Sequence, residues 1–319
     1  MLKMGISGAG YAGHYYVKAL KELGYPITGI TNRTKARGEA LAEEAGADFY
    51  GSVDELVRHS GADIIFIATS TDRHVLDIQA AASAGAKNIF CEKPVGVSLQ
   101  ETGQIREICE AHGINIGAGY KMRYEGIFRT ARDLLVAGNI GRLAGMTLNF
   151  YQTIPHSAWY LDSGYIRETM VHTLDLANWL ADAKPESVMC NTENFAGGSM
   201  EDRASLIMRY QDGVTAALGG GWIQEYPYIA GRKNICFEII GTGGYICGVR
   251  PGHLLICDGD GLRNVNFEQT DSVKCEIIDF AQKLENAQPA AITLDDAERV
   301  QRILTAAAAS AKSGKKETV

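Results

Sequence analysis

Two short stretches of this 319-residue chain carry residue types suited to proton and hydride chemistry. The first is Glu92-Lys93-Pro94, which follows an apolar strand-like run that the proline ends, because proline cannot continue a sheet ladder. The second lies in a helical pattern whose polar members fall within a wedge of roughly 60° at 100° per residue. Those members are Glu168, His172, Asp175 and Trp179.

Lysine, histidine and carboxylate together suit oxidation of an alcohol or reduction of a carbonyl, with a bound cofactor carrying the hydride. Histidine starts near pKa ~6.5 and lysine near ~10.4, so we assign His172 as acid/base and Lys93 as the cation facing the developing alkoxide. The reverse assignment holds if burial deprotonates Lys93. Glu168 would orient His172 or bind a substrate hydroxyl. The simpler alternatives are a solvated ion pair at Lys93 and a solvated helix face at His172.

A glycine-rich loop near the N-terminus predicts a dinucleotide site. The strand-like Met4–Ser7 leads into Gly8-Ala9-Gly10-Tyr11-Ala12-Gly13, and a helical pattern follows as far as Gly24. In such a loop Gly8 turns the chain, Gly10 lets a pyrophosphate approach the backbone, and Gly13 lets the helix pack on the strand. The phosphates, flanked by Tyr11 and Ala12, would lie on the helix N-terminus.

The second strand, Ile27–Thr31, ends at Asn32 and Arg33, where a site specific for NAD places a carboxylate on the ribose. An arginine at this point accommodates a 2′-phosphate. The sequence therefore favours NADP(H), with NAD(H) as the other possibility. The alternative for Arg33 is that it covers the adenine or is solvated.

Strands and helices alternate through residues 1–120, which predicts an α/β domain with a doubly wound parallel sheet, the Rossmann arrangement. From Gly119 to Arg123 the pattern changes to one dominated by strands. We therefore expect residues 121–319 to form an α+β domain with a mainly antiparallel, open sheet for substrate binding and oligomerisation. A final helix over about 294–311 would pack back on the first domain. The strand candidates are Leu143–Gln152, Ser187–Asn191, Ala204–Tyr210, Val214–Leu218, Asn234–Gly241 and His253–Asp258.

The order and spacing of these motifs resemble the glucose–fructose oxidoreductase / inositol dehydrogenase / MocA family. The resemblance rests on the glycine loop, the stretch from Ala68 to His74, Glu92-Lys93-Pro94, Gly119–Tyr124, and Glu168 through Leu180. Glu168 stands where that family has an aspartate, and Ser70 where it usually has a proline.

The resemblance implies an NAD(P)-dependent dehydrogenase that acts on a sugar, inositol or sugar derivative. In that family the lysine matching Lys93 reaches the reacting oxygen, and the acid and histidine of the helix enter the substrate pocket. The other assignments made on this basis are Thr69, Ser70, His74, Glu92 and again Lys93 for the cofactor, and Tyr120 and Arg123 for the substrate.

Two loops rich in aromatic and polar residues, Thr153–Tyr160 and Trp222–Tyr228, would complete a pocket for a polyhydroxylated ring, with Trp159 as a substrate contact. The alternative is that these aromatics serve packing. Two other functions stay open, a dinucleotide-binding sensor or regulator without catalysis and a reductase of a non-sugar carbonyl.

Charge and cysteine content set limits on the partners. The formal net charge is −7, with acidic and basic residues intermixed, so neither nucleic acid nor membrane is an expected partner. No apolar run reaches the ~18 residues of a spanning helix. The seven cysteines show no metal-ligand spacing, and the histidines none either, so we expect no metal site and a cytoplasmic protein. An open sheet predicts a homodimer or homotetramer.

Overall fold

The computed structural model describes residues 1–153, 158–223 and 233–319, and the chain divides into two compact units. The first comprises Met1–Lys121 and Asp271–Gln301, and the second comprises Met122–Thr270 and Arg302–Val319. The predicted domains, 1–120 and 121–319, differ from these units in the segment 271–301. That segment groups with the first unit because Ile277, Phe280 and Ala290 belong to its hydrophobic core. The domain boundary itself stays a prediction.

Ten α-helices lie in the described part of the chain, and serine caps begin two of them. The Ser52 and Ser98 side chains accept hydrogen bonds from the backbone N–H groups of Glu55 and Glu101. The helices are α1 (Tyr11–Leu23), α2 (Lys35–Ala45), α3 (Val53–His59), α4 (His74–Ala84), α5 (Leu99–His112), α6 (Gly126–Val136), α7 (Ala158–Ser163), α8 (Val171–Ala181), α9 (Ser272–Glu285) and α10 (Leu294–Ser313).

The first unit is built on six parallel strands in the order β3-β2-β1-β4-β5-β6. The order reverses between β1 and β4, which creates the crevice where such sheets bind ligands. This confirms the predicted doubly wound sheet. The strands are β1 (Met4–Ser7), β2 (Ile27–Thr31), β3 (Asp48–Tyr50), β4 (Ile64–Ile67), β5 (Asn88–Glu92) and β6 (Asn115–Gly119).

The second unit contains a nine-stranded sheet in the order β14-β13-β12-β11-β7-β10-β9-β8-β15. In the described register β7 and β10 run parallel and the other neighbours run antiparallel, which confirms a mainly antiparallel sheet. The strands are β7 (Leu143–Thr153), β8 (Pro185–Glu193), β9 (Arg203–Tyr210), β10 (Thr215–Ile223), β11 (Lys233–Gly241), β12 (Tyr245–Arg250), β13 (His253–Asp258), β14 (Gly261–Asn264) and β15 (Glu317–Thr318).

One side of this sheet packs inside the second unit and the other side is open. In β7 the predicted apolar face, Met146, Leu148 and Phe150, is buried. The opposite side, here called the outer face, carries Ile207, Cys236 and Val249, all exposed. Across the described ranges, no helix combines the length and the apolarity needed to cross a membrane.

Candidate active site

The glycine loop leaves space beside the N-terminus of α1. Gly8 has a φ of 117°, and a Cβ there would overlap the Ala68 backbone that follows β4. A Cβ on Gly13 would overlap the Gly8 carbonyl, whereas a Cβ on Gly10 would meet nothing within 4 Å. The first turn of α1, all of it described, holds no acidic side chain. The loop therefore fits an anionic pyrophosphate over the helix N-terminus, beside the exposed Tyr11 and the half-buried Ala12.

The two predicted cofactor residues after β2, Asn32 and Arg33, have different surroundings. Asn32 Oδ1 accepts a hydrogen bond of 3.0 Å from the Ala9 backbone N–H, and Asn32 Nδ2 donates to the Thr34 carbonyl oxygen at 2.9 Å. Asn32 thus ties the glycine loop to β2. Arg33 is exposed and lies just before α2, whose first turn has no acidic residue. Its guanidinium can therefore meet an anion from solvent.

The turn after β4 is held by a buried histidine. The His74 ring nitrogens lie 3.1 Å from the Val95 carbonyl oxygen and 3.2 Å from that of Thr69, so the ring links the turns after β4 and β5. Burial lowers the His74 pKa, and a neutral ring donates to only one of these carbonyls at a time. Thr69 Oγ1 donates to Asp77 Oδ2 at 2.7 Å. The two residues shape this turn, and their contact with cofactor stays a prediction.

Ser70 keeps the backbone geometry that the expected proline would impose. Its φ is −68°, close to the value of a proline ring, and its carbonyl accepts a 2.8 Å hydrogen bond from the Arg73 N–H. The turn is therefore formed without proline.

Glu92 and Lys93 stand at the carboxyl end of β5. Glu92 is only 6% exposed, which excludes a solvated ion pair for its carboxylate. Its Oε1 accepts hydrogen bonds from the hydroxyls of Tyr15 and Tyr16, the latter at 2.7 Å, and its Oε2 accepts one of 3.0 Å from the Lys93 backbone N–H. Glu92 fixes the backbone on which the half-buried Lys93 is carried.

The predicted catalytic helix of the second unit is interrupted by a wider turn. Ile166–Met170 is π-helical and runs directly into α8. The predicted spacing of 100° per residue is therefore wrong across Glu168, because a π turn holds more residues than an α turn. Glu168 and His172 are both buried, so the alternative of a solvated helix face at His172 is wrong. Glu168 Oε1 lies 3.4 Å from Arg167 Nε.

Asp175 is fully buried and forms a two-point ion pair with Arg123, which was predicted to bind substrate. Arg123 Nε donates to Asp175 Oδ2 at 2.9 Å, and Arg123 Nη2 donates to Oδ1 at 2.5 Å. This ion pair fixes the plane of the Arg123 guanidinium beside Asp175, which lies one helical turn after His172 on α8. A contact between Arg123 and substrate stays a prediction.

The side chains of four residues hold the π-helical turn, and three of them, Gln152, Thr169 and Glu201, were not assigned from sequence. Thr169 Oγ1 accepts hydrogen bonds of 3.0 Å from Gln152 Nε2 on β7 and 3.0 Å from Trp222 Nε1 on β10. Glu201 Oε1 accepts one of 3.1 Å from the Ile166 N–H, and burial raises the Glu201 pKa. The only available sequence signal was a threonine beside Glu168 within the same motif.

The predicted pocket loops lie largely outside the described residues. Within Thr153–Tyr160 and Trp222–Tyr228, the structure leaves 154–157 and everything from 224 onward undescribed. Trp159 is 45% exposed on α7, and Tyr120 is buried at the end of β6. Among the described residues, no group of three or more His, Cys, Asp or Glu side chains is placed to hold a metal ion.

The parallel sheet, the glycine loop at its switch point and the lysine at the end of β5 define a dinucleotide-binding architecture. Comparison with family models gives the class. Residues 2–120 match the model of an oxidoreductase family with an NAD-binding Rossmann fold, and residues 128–247 match the GFO/IDH/MocA C-terminal domain. The chain belongs to the GFO/IDH/MocA family, and it is an oxidoreductase that uses a nicotinamide cofactor.

Two distant relatives each cover more than nine tenths of the chain. The chain is 25% identical to a D-xylose 1-dehydrogenase (NADP(+)) from Haloferax volcanii over 329 residues, covering 98% of both chains. It is 21% identical to a myo-inositol 2-dehydrogenase from Thermotoga maritima, covering 92% of each. An Agrobacterium radiobacter oxidoreductase, solved with NAD⁺, L-tartaric acid and magnesium, shares the fold at a TM-score of 0.92 and 20% identity, covering 99% of this chain and 98% of that one.

Proposed function

We propose that this protein interconverts a secondary alcohol and a carbonyl of a sugar, an inositol or a sugar derivative. The observation that carries the proposal is the lysine at the carboxyl end of β5, its backbone fixed by Glu92, in the same unit as the glycine loop. Relatives named for xylose and myo-inositol support the substrate class and do not favour a non-sugar carbonyl or a non-catalytic sensor.

Each side chain has its own part in the proposed reaction. The bound nicotinamide supplies the hydride acceptor or donor. Lys93 stabilises the negative charge that develops on the substrate oxygen, and His172 takes the hydroxyl proton in oxidation and returns it in reduction. Glu168 orients His172 or binds a neighbouring hydroxyl. The reverse assignment, with Lys93 as the base, is the second candidate. Tyr120, Arg123 and Trp159 are proposed substrate contacts.

For the cofactor, the proposal is NADP(H) in preference to NAD(H). Its support is the exposed Arg33 after β2, in a turn where the side chain of Asn32 is engaged with the backbone. The relatives include both an NADP⁺ dehydrogenase and a structure holding NAD⁺.

Location and assembly complete the proposal. All seven cysteines are free thiols, which suits the reducing cytoplasm. The outer face of the nine-stranded sheet carries the exposed Ile207 and is the proposed contact of a homodimer or homotetramer, because an open apolar sheet face is commonly covered by a second copy.

The test is turnover of a panel of polyols and aldoses with NADP⁺ and NAD⁺, and of carbonyl acceptors with the reduced cofactors, followed by nicotinamide absorbance. We expect a polyol or aldose to react. Lys93→Met should then lose about 10²- to 10³-fold in kcat while still binding cofactor, because it removes charge at the reacting oxygen.

Lys87→Met is the matched control, since Lys87 is exposed just before the other end of β5. Its kcat should equal that of the native protein. Turnover of Lys93→Met within tenfold of native would contradict the role of Lys93, and turnover of the carbonyl acceptors alone would contradict the substrate class.

A further inference from the structure

A second buried acid lies behind the Glu92–Lys93 segment, in a part of the chain far from it in sequence. Glu276 on α9 is 1% exposed, and its Oε1 lies 3.5 Å from the Tyr16 hydroxyl, which donates to Glu92 Oε1 at 2.7 Å. The Tyr16 hydroxyl therefore stands between two carboxyl groups. All of these residues belong to the first unit.

The surroundings of Glu276 disfavour its ionised form. Burial and the neighbouring Glu92 raise the Glu276 pKa well above its ordinary value of 4.5, and Asp271 raises it further. Lys121 and the Tyr16 hydroxyl lower it, but these effects rank below burial and Glu92. Lys121 Nζ lies 4.6 Å from the centre of the Tyr15 ring. The buried Glu276 Oε2 has no hydrogen-bond partner among the described residues.

The Tyr16 hydroxyl has a single proton, and two carboxyl groups, those of Glu92 and Glu276, can accept it. Tyr16 has a single O–H, so it can donate to Glu92 or to Glu276 but not fully to both. A neutral Glu276 can instead donate its own proton toward the Tyr16 oxygen, which polarises the Tyr16 O–H toward Glu92. An ionised Glu276 would compete for that proton and weaken the support of the carboxylate that holds the Lys93 backbone.

We propose that Glu276 is a positioning residue for Lys93, acting as a neutral acid that directs the Tyr16 hydroxyl onto Glu92. This inference rests on the proposed role of Lys93. Glu276 of α9 thus influences the reaction through Tyr16 and Glu92, without touching the reacting atoms. The sequence carries a signal for it, because Glu276 stands beside Ile277 and four residues before Phe280, on the helix face that joins the core.

The first measurement is thermal stability of Glu276→Gln and of the native protein from pH 4 to pH 9, which needs no substrate. Well below its ordinary pKa of 4.5, the Glu276 carboxyl is protonated in both the folded and the unfolded protein. As the pH rises toward the raised folded pKa, only the unfolded carboxyl ionises, so the native protein loses stability that the glutamine variant keeps. The melting temperature of the variant minus that of the native protein should grow with pH. A difference that is constant or shrinks would overturn the neutral acid.

The second measurement tests positioning through turnover. Glu276→Gln, which can still donate to Tyr16, should retain most of the turnover at neutral pH. Glu276→Leu cannot donate and should lose about tenfold in kcat with KM little changed, the loss of one charge-linked hydrogen bond. The ratio of native to Glu276→Gln kcat should fall as the pH rises through the raised pKa of Glu276.

The outcomes separate this inference from the proposed function. Equal kcat in Glu276→Gln and Glu276→Leu would mean that Glu276 is only structural and would overturn its positioning role. Undiminished turnover of Lys93→Met would instead overturn the role of Lys93, and the positioning role would fall with it. The stability measurement would then still report whether Glu276 is neutral.

Discussion

At the scale of single residues, the adjacent side chains of Asn32 and Arg33 have different roles. Asn32 stabilises the turn after β2, and Arg33 is exposed to a ligand. The Asn32 side chain bonds the Ala9 N–H and the Thr34 carbonyl oxygen, whereas the Arg33 side chain is exposed. A guanidinium can make paired, charge-assisted hydrogen bonds to a phosphate. Cofactor choice should therefore depend on Arg33 and not on the shape of the turn.

Arg33→Ala is predicted to weaken NADPH binding by about 10- to 150-fold, the equivalent of about 1.5–3 kcal/mol, and to leave NADH nearly unchanged. Fluorescence titration of both reduced cofactors measures this. Lys35→Ala is the control, because Lys35 is also exposed in this segment but pairs with Glu39 at 3.7 Å. An equal loss for NADPH and NADH would show that Arg33 stacks on the adenine, which both cofactors share, and would rule out the NADP assignment.

Residue types and spacing could predict the glycine loop and Glu92-Lys93-Pro94, because both depend on the local order of strand, turn and helix. Spacing could not predict that Asp175 is paired with Arg123, since that contact joins residues 52 positions apart. Nor could it predict the burial of Glu92 by two tyrosines of α1. Such contacts depend on packing that no sequence window contains.

At the scale of elements, the π-helical turn Ile166–Met170 is the least regular part of the described site. Such turns are uncommon and are frequently found where function needs a side chain displaced from the helical phase. Here Thr169 within the turn accepts hydrogen bonds from side chains on β7 and β10, and Glu201 accepts one from the Ile166 N–H. The position of Glu168 therefore depends on the sheet as well as on its own helix.

Thr169→Val should destabilise the protein by about 1–3 kcal/mol for each of the two donors left unsatisfied, Gln152 Nε2 and Trp222 Nε1. Thr173→Val is the matched control on the same helix, because it removes one local hydrogen bond of 2.9 Å to the Met170 carbonyl. The control should cost about 0.5–1.5 kcal/mol. Urea unfolding measures both, and equal costs would contradict a tethering role for Thr169.

Most helices and strands could be predicted from hydrophobic periodicity and capping residues. There are physical reasons why the others could not be. The helix α10 begins as expected, with the Thr293 N–H donating to Asp296 Oδ2 at 2.9 Å. The strands β12, β14 and β15 were not predicted, because they are short and the first is interrupted by Gly248. The π turn spans only the five residues Ile166–Met170, too few to leave a periodic signal of its own.

At the scale of the whole molecule, the outer face of the nine-stranded sheet should govern assembly. Ile207→Lys places a charge in that face, where Ile207 is 61% exposed, and should shift a dimer or tetramer toward monomer in light scattering. Leu76→Lys, at 57% exposure on α4, should leave assembly unchanged. A monomeric native protein, or an Ile207→Lys variant of unchanged mass, would contradict the proposed interface.

The membership of 271–301 in the first unit has a consequence for synthesis on the ribosome. The core around β1, β4 and β5 includes Ile277 and Phe280, and Phe280 packs against Phe90 with ring centres 5.4 Å apart. About 150 residues separate this segment from Lys121, and they take roughly 7–30 s to translate at 5–20 residues per second. For that interval the nascent N-terminal sheet lacks the apolar cover that this segment provides, so we expect chaperones to bind it before the domain is complete.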